Sequence, residues 1–137
     1  MERIKHILPQ YGEFDGMHST EKCNIYWDTH VNHPCTTWTR ESVSNYKWLV
    51  EHFIALCQEF TFRYPGKHHK SEELIEFFRT TIPKIETLEL TPFAQAMPIE
   101  LRSDNAVESY RAYYKRDKAY VYNYGDKRQE PDWWQQN

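Results

Sequence analysis

Glu41, Asn45, Trp48, His52, Glu59 and Arg63 recur at spacings of four, three, four, seven and four along the chain. On a helix that advances about 100° per residue, all six fall within roughly 40° of one line. Two carboxylates, an imidazole and a guanidinium on one stripe are the side chains that proton transfer and anion stabilisation require. In that reading Glu59 is the acid/base group, His52 moves a proton, Arg63 holds an anion and Glu41 completes the stripe. The same residues also admit a structural reading, because Glu59 and Arg63 are an i,i+4 ion pair of the kind that decorates helix surfaces.

A second set lies near the other end. Arg111, Lys115, Lys118 and Tyr122 share a face, and Tyr110, Tyr113, Tyr114, Tyr120 and Tyr124 cover much of the remainder. Cations beside stackable rings suit a single-stranded or flipped-base ligand, in which phosphates meet Lys and Arg and bases meet aromatic faces. Tyrosines at helical spacing also serve as core and rim packing. Lys67-His68-His69-Lys70 reads as a solvated loop or a phosphate contact, with Lys67 grouped among the phosphate-binding candidates.

Cys23, His30, His33 and Cys35 have the ligand types of a tetrahedral zinc site, but only the run from His30 to Cys35 is tight, and Cys23 stands alone. No metal or cofactor is assigned. Cys57 falls on an apolar stripe and reads as core. Walker-A, Gly-x-Gly-x-x-Gly, Gly-x-Ser-x-Gly and His-Glu-x-x-His patterns are absent, which removes the usual support for triphosphatase, dinucleotide, α/β-hydrolase and zincin chemistry.

The elements that must position these groups are mainly helical. Tyr46, Leu49, Val50, Phe53, Cys57 and Phe60 recur at helical spacing, predicting one long amphipathic helix from about Thr37 to Tyr64, stopped by Pro65-Gly66. Ser71 suits the N-cap of a shorter helix to about Thr81, with Glu72 and Glu73 in its first turn. The run from Thr91 to Pro98 is bounded by prolines and reads as an ordered loop, either a lid or a strap. Asp104 or Asn105 then caps a last long helix to about Tyr124, closed by Gly125. Residues before about Asn32 read as irregular, with one short strand near Asn24 to Trp27. The fold expected is a mainly α, small single-domain helical bundle over residues 1–137, with two long helices, one shorter helix and long ordered loops, and a helical core at 33–134.

Length and composition agree. The chain has 137 residues, 39% hydrophobic and 27% charged, enough for one domain with a modest core. Five Trp, ten Tyr and seven Phe mean that this core is built largely from rings, whose polar ends need partners. Such aromatic content excludes a disordered tail or a low-complexity linker. A net charge of -3 argues against general DNA coating, yet the stretch from Tyr110 to Arg128 carries six Lys and Arg against Asp117 and Asp126. No window approaches the roughly 18 apolar residues of a membrane span. Three cysteines without a pairing motif, and a start that lacks an apolar run, lead to the expectation of a reducing cytoplasm.

Several runs carry a resemblance to a known family. Asn32-His33-Pro34-Cys35, Trp38-Thr39-Arg40-Glu41-Ser42, Asn45-Tyr46-Lys47-Trp48-Leu49, Ala55 to Thr61, Arg63-Tyr64 with Gly66-Lys67 and His69, Thr91 to Pro98, Ala106 to Lys118 and Pro131-Asp132-Trp133-Trp134 resemble an uncharacterised family of small phage-encoded proteins. The resemblance covers about Asn32 to Trp134. That family is distantly similar to the pyrimidine-dimer DNA glycosylases of endonuclease V type, which are helical and act on DNA. The resemblance implies base excision, in which an amine attacks the sugar of a flipped nucleotide and a carboxylate assists.

Met1 precedes Glu2, whose size should retain the initiator methionine, so the freed N-terminal amine used by those glycosylases is not expected. Two functions stand as expectations. One is a phage DNA- or nucleotide-acting protein of glycosylase/lyase type in the host cytoplasm, with Glu41, His52, Glu59 and Arg63 at the site and Arg111, Lys115, Lys118 and Lys67 on phosphate. The other is a non-catalytic phage protein that binds and inhibits a host defence or regulatory factor, anchored by Trp133 and Trp134.

Overall fold

The computed structural model describes residues 30–121 and 123–135. It is mainly helical, and among the described residues there is no strand. The chain divides into two compact units, one ending at Thr91 and the other beginning at Pro92. The region expected to hold a strand near Asn24 to Trp27, and Cys23 with it, lies outside the described residues.

The first unit is built on two helices, α1 (Pro34–Glu41) and α2 (Val43–Arg63), packed against each other. Proline opens α1 at the position where its missing N–H costs nothing, and the His33 ring accepts from the Cys35 N–H at 3.2 Å. The single long helix expected from Thr37 to Tyr64 is therefore corrected: the chain breaks at Ser42. Ser42 is extended, with φ −150° and ψ 158°, and its buried hydroxyl accepts from Asn45 N–H at 3.0 Å, which ends one helix and caps the next. Val43 N–H cannot join a helix across that break and donates to the Thr87 carbonyl at 2.9 Å instead.

After α2 the chain turns through Gly66, whose φ of +76° is a left-handed value suited to glycine. The next cap is His69, and not Ser71: the His69 ring accepts from Ser71 N–H at 3.2 Å. A 3-10 segment, Lys70–Leu74, then leads into the short α3 (Ile75–Thr80). The Phe53 and Phe78 rings meet edge to face at 6.0 Å, joining α2 to α3. The Tyr46 hydroxyl lies 2.9 Å from the Phe78 carbonyl and 2.8 Å from that of Thr81, and its one proton serves either. Among the described residues of this unit, Trp38, Val50 and Cys57 are the buried apolar side chains.

In the second unit, the loop after Pro92 is fastened to α4 (Ala106–Asp117). Tyr110 Oη donates to the Ala94 carbonyl at 2.8 Å and accepts from Ala96 N–H at 3.2 Å. The Gln95 amide brackets Ser103, donating to its carbonyl at 2.6 Å and accepting from its N–H at 3.1 Å. These bonds make the segment from Ala94 to Met97 a strap. Asn105 caps α4 by accepting from the N–H groups of Val107 and Glu108. The last helix is shorter than the expected run to Tyr124: α4 stops at Asp117, and a single 3-10 turn, Ala119–Val121, comes after it. Gly125, with φ +60°, turns the chain later, and α5 (Asp132–Gln135) packs on α4.

Candidate functional site

The break at Ser42 divides the polar stripe of the first unit. Glu41 ends α1, whereas Asn45, Trp48, His52, Glu59 and Arg63 lie on α2. Asn45 is completely buried and works as a clamp: its Nδ2 donates to the Trp38 carbonyl and to Thr91 Oγ1, both at 2.7 Å, and its Oδ1 accepts from Thr91 N–H at 3.0 Å. Thr91 Oγ1 in turn donates to the Glu41 carboxylate at 3.0 Å. Glu41 is thus tied to the clamp.

Further along α2, the Trp48 and His52 rings stack at 5.2 Å and 14°, with Trp38 edge-on to Trp48 at 5.8 Å. Glu59 and Arg63 form an ion pair at 2.7 Å, each about a third exposed. His52 and Glu59 lie two turns apart, roughly 10.5 Å along the axis, beyond direct proton transfer. The stripe therefore resolves into three local arrangements: a clamp at Glu41, an aromatic stack at His52 and an ion pair at Glu59 and Arg63. Lys67 sits in the exposed turn after α2, its N–H donating to the Tyr64 carbonyl at 3.0 Å. Cys57 is buried, and burial, with a smaller contribution from the charge of Glu72, pushes its thiol up, away from the nucleophilic thiolate.

The second unit brings its cations against rings. The Lys118 ammonium stands 5.6 Å from the Tyr113 ring centroid and 6.0 Å from that of Tyr120, which is 79% exposed. A hydrogen bond with Tyr113 raises its pKa above the ordinary lysine value, so the ammonium stays charged and can pair with phosphate. The Arg111 guanidinium lies 5.6 Å from the Trp133 ring centroid and pairs with Glu108 at 2.9 Å. Lys115 is half-buried on the same helix. Tyr114 is exposed, and its ring meets that of Tyr113 at 6.1 Å.

Arg116 is engaged elsewhere. It is bonded to Asp117 at 2.7 Å and to Glu100 at 3.1 Å, and the bond from Arg116 holds the Asp117 carboxyl below its ordinary value. Trp133 and Trp134, expected as exposed anchors, are half-buried and packed edge to face at 5.6 Å, with Trp133 serving Arg111. Spacing alone did not single out Tyr113 and Tyr120 as the seats of Lys118, because the chain leaves the helix at that residue and the turn at Ala119–Val121 brings Tyr120 back.

Among the described residues, no group of three or more His, Cys, Asp and Glu is placed to hold a metal ion. His33 is a helix cap and His30 has a left-handed φ of 56°. No helix among the described residues is long and apolar enough to cross a membrane. No protein-family model, curated protein or solved structure matches the chain.

Proposed function

We propose that the chain binds single-stranded nucleic acid through the α4 face of its second unit, as a phage DNA- or nucleotide-acting protein. One observation carries this reading: Lys118 sits against two tyrosine rings, one of them largely exposed, so that charge for phosphate and a flat surface for a base stand side by side. Arg111 beside Trp133 repeats the arrangement further along the helix. The two cations are seated by contacts within one unit, which orders them before a ligand arrives and lowers the entropy lost on binding.

Binding, not base excision, is the activity this geometry supports. Excision needs an amine beside a free carboxylate, whereas the Lys118 ammonium stands against tyrosine rings and the Glu59 carboxylate is bonded to Arg63. The test is binding of single-stranded, duplex and abasic-site DNA across a salt series. Contacts to two or three phosphates predict a slope of log affinity against log salt of about −1.4 to −2.1. Binding that is tighter for the single strand and has that slope is expected; binding absent at low salt overturns the reading.

A second reading, binding of a host protein, is favoured by a different observation. Trp48, Leu49 and Leu56 are exposed along α2, at 42%, 39% and 56%. Apolar side chains at such spacing are what a helix presents to a partner's groove. A host-lysate complex that Leu49→Asp and Leu56→Asp abolish supports this reading, and one they leave intact counts against it.

A further inference from the structure

We infer that Glu108 is a built-in competitor for the phosphate that Arg111 takes, so that this part of the α4 face binds its ligand only as the carboxylate gives way. The inference rests on the proposed binding of nucleic acid and names the residue that limits its strength. Glu108 Oε1 accepts from Arg111 Nη1 at 2.9 Å. An anionic oxygen at that distance from a guanidinium N–H is also what a bound phosphate supplies. The guanidinium is seated separately, its carbon 5.6 Å from the Trp133 ring centroid. That contact draws on the charge of the cation and leaves its N–H groups to oxygen acceptors. Carboxylate and phosphate therefore compete for the same donors while the ring keeps the cation in place.

The placement of Glu108 follows from the helix start. Asn105 caps α4 and accepts from the Glu108 N–H at 3.3 Å, which fixes the backbone of Glu108 in the first turn, where the macrodipole favours a carboxylate. A spacing of three residues then brings that carboxylate to Arg111. The side chains remain open to water, Glu108 at 60% and Arg111 at 40%, and an exposed pair of this kind contributes little and exchanges readily. Arg116 shows the contrast on the same helix. Two bonds of 2.7 Å to Asp117 and one of 3.1 Å to Glu100 hold it, and all three would have to break before a phosphate could take their place. Glu108 opposes binding twice, first by occupying a donor of Arg111 and then, once displaced, by standing as a like charge beside the phosphate.

The experiment measures affinity of the full chain for a labelled thymidine octamer at low salt. Glu108→Gln keeps the side-chain length and an acceptor oxygen while removing the charge, and should tighten binding by about three- to tenfold. In an Arg111→Gln background the same change should give less than about twofold, because no guanidinium is left to release. Asp104→Asn removes a like charge just before the cap, from an exposed carboxylate that is not bonded to Arg111, and should stay within about twofold of the parent chain. No tightening in Glu108→Gln, the same tightening in the Arg111→Gln background, or an equal tightening in Asp104→Asn would overturn the competitor role. Absence of salt-sensitive binding in both the parent chain and Glu108→Gln would instead overturn the nucleic-acid reading on which that role rests. If Glu108→Gln loses helix content by circular dichroism, Glu108→Ser carries the same comparison.

Discussion

Asn45 and Thr91 stand 46 positions apart and exchange two hydrogen bonds, Asn45 Nδ2 donating to Thr91 Oγ1 at 2.7 Å and Thr91 N–H donating to Asn45 Oδ1 at 3.0 Å. A second proton of the same amide goes to the Trp38 carbonyl at 2.7 Å, so one buried side chain on α2 ties α1 and Thr91 together. Its burial is complete, which means that water cannot replace any partner it loses.

Asn45→Ala should therefore destabilise the first unit by about 3 kcal/mol, since it leaves the Trp38 carbonyl and the Thr91 N–H unbonded in the interior. Asn45→Asp should cost at least as much, because a carboxylate cannot donate to the Trp38 carbonyl and brings an unpaired charge inside. Urea unfolding at constant pH measures both. A loss below about 1 kcal/mol for the alanine variant would show that the clamp contributes no more than an ordinary surface bond.

Asn45 also shows where sequence reading succeeds and where it stops. The stripe Tyr46, Leu49, Val50, Phe53, Cys57 and Phe60 is legible as a helix because apolar spacing tracks burial, and Val50 and Cys57 are buried, whereas Leu49 at the edge of the stripe is 39% exposed. The break at Ser42 is not legible in the same way. Apolar and polar residues keep the helical period through it, and only the extended backbone, held by the Val43-to-Thr87 bond from far along the chain, interrupts it. Asn45 therefore reads as a member of a polar surface stripe, although its partners come from Thr91 and Trp38. The seats of Lys118 are hidden for a related reason, since Tyr120 arrives through a turn and not through helix periodicity.

Tyr46 should make stability fall at high pH. Burial pushes its hydroxyl up from 10.0 to about 12, so the folded state holds a proton that the unfolded chain has released. A folded pKa above the unfolded value means that the stabilisation is complete below pH 10 and is lost as pH rises from 10 towards 12. Tyr46→Phe should lower stability by about 1–2 kcal/mol near neutral pH, through loss of the bond to the Phe78 or Thr81 carbonyl. It should also flatten the decline between about pH 10 and 11, read from urea midpoints. An equally steep decline in the phenylalanine variant would assign the pH dependence to other groups.

Glu59 and Arg63 test whether the remaining polar stripe does more than decorate α2. Both side chains are about a third exposed, and the pair is bonded within one helix at 2.7 Å. Glu59→Gln should change stability by less than about 1 kcal/mol, as a solvent-facing pair gains little over its separated partners. Nucleic-acid affinity should remain within about twofold of the parent chain, because the α4 cations carry that binding. A large loss of DNA affinity in Glu59→Gln would move the site to α2.

Lys118 and Arg116 offer the sharpest separation of binding from background charge, since they are two residues apart and carry the same sign. Arg116 is neutralised by Asp117 and Glu100, and those bonds hold its guanidinium firmly charged and firmly occupied. Lys118 stands against two rings and is hydrogen-bonded to Tyr113, while Asp117, already bonded to Arg116, acts on it through charge and leaves it unneutralised by a direct ion pair. Lys118→Ala should weaken single-strand binding and reduce the salt slope by about 0.7, the value of one phosphate contact on a single strand. Arg116→Ala releases Asp117 and Glu100 as uncompensated carboxylates, so it should weaken binding mildly at low salt while leaving nearly unchanged the affinity at high salt, where such repulsion is screened. Fluorescence anisotropy with a labelled thymidine oligomer distinguishes the two. Equal changes in slope for both variants would mean that net charge, and not the placement of Lys118 between Tyr113 and Tyr120, governs binding.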